Sequence, residues 1–97
     1  FNLGIKKGWA DKIFLDLPEP WKAIWLTEYL KKGGILCAYN PQITQIQKLS
    51  VELEKGGFVD FNVIEILMRE WMVDEKRVRP KDLMRAHTGF ILISRKV

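Results

Sequence analysis

The sequence predicts an α/β fold in which parallel strands alternate with helices and a final strand pair runs antiparallel. Three observations carry this. Two short apolar runs, Lys12 to Asp16 and Ile35 to Tyr39, are each followed by an amphipathic segment. Strand, helix, strand, helix with short connections implies right-handed crossovers and a parallel sheet. After Gly57 the pattern changes: Phe61 to Val73 is rich in β-formers and Thr88 to Ser94 is a last strand, with no helix between them. Those two runs are expected to pair antiparallel.

Each element has a local reason. Phe1 to Ala10 reads as loop, because Asn2, Gly4 and Gly8 favour turns; Trp9 is expected to pack under the first strand. Neither parallel strand alternates apolar with polar, which suits strands covered on both faces. Helix one is expected to open at Pro20, a favoured first-turn residue. Ala23, Leu26 and Leu30 would form its buried stripe, Lys31 and Lys32 its last turn, and Gly33-Gly34 its end. Asn40-Pro41 reads as N-cap and first position of helix two. Ile43, Ile46, Leu49 and Leu53 form its buried stripe, and Gly56-Gly57 closes it. Two helices cannot cover both faces of such a sheet. The expectation is therefore one domain of which residues 1–97 are the C-terminal part, with covering strands and helices before Phe1.

Composition bounds the function. At 97 residues the chain is one small domain or part of one. With 47% hydrophobic and 29% charged residues it is globular rather than disordered. No run of eighteen apolar residues exists, so no membrane partner is expected. The lone Cys37 lies in an apolar run and reads as a small core hydrophobe in a reducing, cytoplasmic setting. A net charge of +4 and a pI near 9.3 suit an anionic partner such as RNA, though many ordinary proteins are as basic. There is no glycine-rich phosphate loop, no dinucleotide fingerprint and no Gly-x-Ser-x-Gly elbow. One histidine and one cysteine cannot assemble a zinc cluster, so no metal is implied.

Three stretches carry chemistry. Asp16-Leu17-Pro18-Glu19-Pro20-Trp21 sets a carboxylate where a strand stops and a helix begins. In open parallel sheets that edge is where ligands bind. Two prolines stiffen the turn and hold Asp16 and Trp21 at a set spacing. The plainer reading makes Asp16 a helix cap. Lys76-Arg77-Val78-Arg79-Pro80-Lys81, leading to Arg85 and His87, reads either as a solvated loop or as a contact to RNA phosphates. Glu65, Arg69 and Trp71 share one face if the strand is continuous, with Trp71 as core, interface or a platform for a base.

Together these stretches resemble the catalytic subunit of tRNA adenine-N1 methyltransferases, which modify the T-loop adenine at position 58. The resemblance rests on Phe14-Leu15-Asp16-Leu17-Pro18-Glu19-Pro20-Trp21 and on Asn40-Pro41-Gln42-Ile43-Thr44-Gln45-Ile46-Gln47. It continues through Glu65-x-x-x-Arg69-x-Trp71 and Arg79-Pro80 to Met84-x-x-His87-Thr88-Gly89-Phe90. It covers about Lys12 to Lys96 in family order. It implies the C-terminal half of a class I, Rossmann-like methyltransferase using S-adenosylmethionine, with the glycine-rich cofactor loop outside this chain.

The resemblance also implies roles. Asp16 would orient the adenine and, with Leu17, touch the cofactor's methionine end. Leu17 and Pro18 would shape the pocket wall, and Trp21 would pack beneath the loop or contact the substrate. Arg79, Lys81, Arg85 and His87 would meet tRNA or a neighbouring subunit. A tetramer, or assembly with a related subunit, is implied as well. The alternatives are a non-catalytic tRNA-binding paralogue and a methyltransferase of the same fold acting on a small molecule.

Overall fold

A computed structural model describes residues 4–80 and 87–97. Strand β1 (Ala10–Asp16) leads into a 3₁₀ helix (Pro20–Tyr29), and β2 (Leu30–Asn40) into α1 (Ile43–Lys55). Four more strands follow: β3 (Val59–Met68), β4 (Trp71–Val73), β5 (Val78–Pro80) and β6 (His87–Arg95). Among the described residues, one sheet has the order β1-β2-β6-β3 and a second joins β4 to β5. β1 and β2 run parallel, and β6 is antiparallel to both β2 and β3. The expected mixed sheet is present, with the last strand inserted between the second and third.

The core lies on one face of this sheet. Register places Leu15 beside Ala38, and Ala38 beside Leu92. These side chains are buried against Ile46, Leu49 and Leu53 of α1. Leu53 also belongs to the turn that ends the helix. Phe58 N–H donates to Leu53 O and Gly57 N–H to Glu54 O, both at 3.0 Å, with Gly57 at φ 89°. That double bond pattern is a Schellman end, and it brings Phe58 over Leu53 in the core. So Gly56-Gly57 closes α1 as expected.

The opposite face is open. Phe14 is 62% exposed, and its neighbours Cys37, Tyr39, Ile91 and Ile93 are only half-buried. With only two helices among the described residues, one face of β1 and β2 is left uncovered, as the sequence predicts. Trp9 is 69% exposed and does not pack under β1.

Several sequence-based expectations are corrected. Helix one is not an α-helix running to Lys32. It is two short 3₁₀ turns joined at Ala23, with Glu19 left-handed at φ 78° before it and no side-chain cap, so Asp16 does not cap it. Leu30 leaves the helix because it is buried in the sheet beside Ala10. Lys31 consequently lies in β2, where it pairs with Asp11 at 2.7 Å, and draws that carboxyl below the usual range. The cation at the helix end is Lys96 instead: its ammonium donates to the carbonyls of Thr27 and Leu30, each at 2.7 Å. Gly33 is left-handed within β2, where its N–H donates to Lys96 O at 2.7 Å. Its backbone bends a strand rather than ending a helix.

Helix α1 begins two residues late. Gln42 is its N-cap, Pro41 lies outside it, and Ile43 is exposed rather than part of the stripe. The single run from Phe61 to Val73 is divided between β3 and β4, so Glu65 sits in β3 while Arg69 falls between strands. Part of the expected loop is also strand. Asp74 accepts from the Lys76 and Arg77 N–H groups, both at 2.8 Å, and this turn folds β5 back onto β4.

Candidate active site

Parallel neighbours end at the same sheet edge, so the turns after β1 and β2 must meet. Asp16 and Tyr39 are register partners there. Beyond them the chain opens a cavity of about 400 Å³. One wall is Asp16, Leu17, Pro18 and Glu19, all exposed; the other is Tyr39, Asn40, Pro41, Gln42 and, on the first turn of α1, Gln45.

Asn40 ties the two walls together. It is 3% exposed. Its Nδ2 donates to Leu17 O at 3.2 Å, and its Oδ1 accepts from Gln42 N–H at 2.9 Å. A buried amide must satisfy both ends, and these partners do so while fixing the Asp16 turn to the start of α1. Pro18 and Pro20 restrict that turn further. Tyr39 packs closely on β6: a Cβ on Gly89 would sit 2.5 Å from Tyr39 Oη, so any larger residue there would have to displace the Tyr39 ring.

Of the residues singled out in the sequence, the structure brings Asp16, Leu17 and Pro18 together. Trp21 does not line this cavity. Its ring lies 4.6 Å from Lys48 Nζ, in a second depression of about 370 Å³ beside α1. Arg79 stands in the β4–β5 hairpin opposite Met72, and His87 opens β6 opposite Met68. Lys81 and Arg85 lie outside the described residues. Sequence reasoning missed Tyr39, Asn40, Gln42 and Gln45 as site residues. The signal was available in the strand-edge rule, which sends whatever follows β2 to the same rim as Asp16.

An exposed carboxylate at the carboxyl ends of parallel strands, with an apolar Leu17–Pro18 wall, can accept hydrogen bonds from a planar amine or stabilise a nearby cation. It suits a flat base or the cationic end of a cofactor.

The family described as tRNA methyltransferase complex GCD14 subunit matches residues 1–95. The tRNA (adenine(57)-N(1)/adenine(58)-N(1))-methyltransferase TrmI of Methanocaldococcus jannaschii is 40% identical over 88 residues, covering 89% of this chain and 31% of that protein. The Thermus thermophilus tRNA (adenine(58)-N(1))-methyltransferase TrmI is 37% identical over 87 residues, covering 89% of this chain and 34% of that one. Among solved structures, tRNA (m1A58) methyltransferase TrmI from Aquifex aeolicus superposes with a TM-score of 0.80 at 30% identity, covering 99% of this chain and 39% of the other. A SAM-dependent O-methyltransferase from Thermotoga maritima gives 0.79 at 35% identity, over 97% and 36%. The chain thus spans about a third of the length of these relatives. Its α/β architecture is that of the Rossmann-like, SAM-dependent methyltransferases, and the chain belongs to the GCD14 family of tRNA methyltransferase subunits.

Proposed function

We propose that the intact protein methylates N1 of the adenine at position 58 in the T-loop of tRNA, and that residues 1–97 form the substrate-facing C-terminal part of its catalytic domain. The observation that carries this is Asp16, set on the rim of a strand-edge cavity in a chain of this family.

Bound S-adenosylmethionine supplies an electrophilic methyl group. Adenine N1 already holds a lone pair, so the protein needs no strong base to make the nucleophile. Its task is alignment. Asp16 accepts from the exocyclic amine, orients N1, and would offset the positive charge that the base gains as the N1–C bond forms and the S–C bond of the cofactor breaks, with S-adenosylhomocysteine leaving. Leu17 and Pro18 form the apolar wall, and Asp16 with Leu17 would hold the methionine end of the cofactor. N1 lies on the pairing edge, so the base must leave its stack to enter.

Trp21, Arg79, Lys81, Arg85 and His87 belong to the wider contact surface with tRNA in this proposal. Assembly, as a tetramer or with a related subunit, would use β3 and the β4–β5 hairpin. These expose Ile64, Leu67, Trp71, Val73 and Val78, apolar side chains suited to burial against another chain or another part of the protein.

The test is methyl transfer by the full-length protein to an unmodified tRNA transcript and to one with guanine at position 58. The expected product is N1-methyladenine at that position in the first and none in the second. Transfer to small hydroxyl compounds with none to tRNA would overturn the proposal.

A further inference from the structure

We propose that Gln45 determines specificity for adenine: its carboxamide reads the exocyclic amine and N7, and leaves N1 free for the methyl group. This deepens the adenine reading of the Asp16 cavity and rests on it.

Gln45 stands on the first turn of α1 and lines the cavity that holds Asp16. Its Oε1 is sealed from solvent and has no hydrogen-bond partner. Its Nε2 makes one long bond, 3.3 Å, to Gln42 Oε1. Buried acceptors are nearly always satisfied, and one left unmet costs stability. Exchanging the amide's oxygen and nitrogen does not remove the difficulty. It sets oxygen against the Gln42 oxygen and leaves a donor unmet in place of an acceptor. Nor does the helix employ the group: a glutamine at the third helical position can reach back to cap the N-terminus, yet α1 has no side-chain cap. The resting position of this amide is thus poorly paired, at a residue that lines the cavity and has three side-chain torsions free to turn the amide toward a ligand there.

Adenine presents the matching pattern. Its outer edge sets the N6 amine beside N7, a donor next to an acceptor, and a glutamine amide meets both at once. Guanine sets two acceptors on that edge and would oppose O6 to Oε1. The N6 amine carries two hydrogens. One lies on the N7 side for Gln45, and one on the N1 side for Asp16. Two acceptors on opposite walls therefore hold one amine between them, and N1, next along the ring on the Asp16 side, stays uncovered.

Gln45→Met keeps length and volume and removes both hydrogen-bonding groups. The expected result is a fall in kcat/KM for tRNA of about ten- to hundredfold, with thermal stability unchanged or raised because the unmet oxygen is gone. A second substrate, carrying 7-deazaadenine at the target, keeps N1 and the amine but lacks N7. Wild type should lose several-fold on it, and Gln45→Met nothing further. Normal methylation by Gln45→Met overturns the proposal, as does indifference of the wild type to 7-deazaadenine, a measurement that needs no variant. If wild type methylates no tRNA adenine at all, the functional reading fails first and this inference falls with it.

Discussion

Replacing Asn40 by alanine should uncouple the two walls of the cavity. The side chain makes two hydrogen bonds, to Leu17 O and from Gln42 N–H. Each contributes about 1 kcal/mol net in a folded protein, and a partner left unmet costs about as much again. Asn40→Ala should therefore destabilise the intact protein by about 2–3 kcal/mol. Asn40→Asp should cost no less: it keeps the acceptor for Gln42 but turns a carboxylate toward the Leu17 carbonyl in a buried site. Urea unfolding measures this as a lower midpoint at unchanged slope. Catalysis should fall further than stability explains, because a shift of about 1 Å in a reacting group costs on the order of a hundredfold in rate. Single-turnover methylation, under conditions where the variant is fully folded, separates the two effects. A variant that is less stable but methylates at the wild-type rate would show that the bridge does not position Asp16. A variant with unchanged stability would show that the bridge is not made in solution.

Two further outcomes follow from other parts of the fold. Gly89→Ala forces a methyl group into the Tyr39 ring. Overpacking of this kind costs about 1–3 kcal/mol, and the displaced ring should also slow methyl transfer; thermal melts and initial rates check both. The β4–β5 hairpin should respond to acid. Hydrogen bonds from the Lys76 N–H and the Arg77 guanidinium hold the Asp74 carboxyl below the usual aspartate range. The stability this gives is full above about pH 3.9, the unfolded value, and is lost as pH falls through the lower folded value. Amide protection factors in residues 71–80, corrected for the intrinsic pH dependence of exchange, should fall across that window and not between pH 7 and pH 5.

How much of this was legible in the sequence depended on how local each feature is. β1, β2 and β6 announce themselves as apolar runs, and α1 as a stripe closed by a glycine pair, because those patterns arise within a few residues. The residues after Pro20 mislead. Ala23, Leu26 and Leu30 have α-helical spacing, but Leu30 is held by the sheet and Lys96 receives the helix end. Those are contacts with distant parts of the chain, and spacing cannot reveal them. Asn40-Pro41 looked like a helix start because asparagine caps helices well. Its side chain bridges Leu17 O, twenty-three residues away, and Gln42 N–H, and the helix opens two residues later. Of the site, Asp16, Leu17 and Pro18 were visible because a carboxylate between a strand and two prolines is distinctive. Tyr39, Asn40, Gln42 and Gln45 required knowledge that the second turn folds onto the first.

The central claim is that Asp16 orients the adenine for attack by N1. Single-turnover methyl transfer by the full-length Asp16→Ala variant, with tRNA binding measured alongside, tests it most directly. The account predicts a loss of at least a hundredfold in rate with binding nearly unchanged; a rate equal to wild type would contradict it.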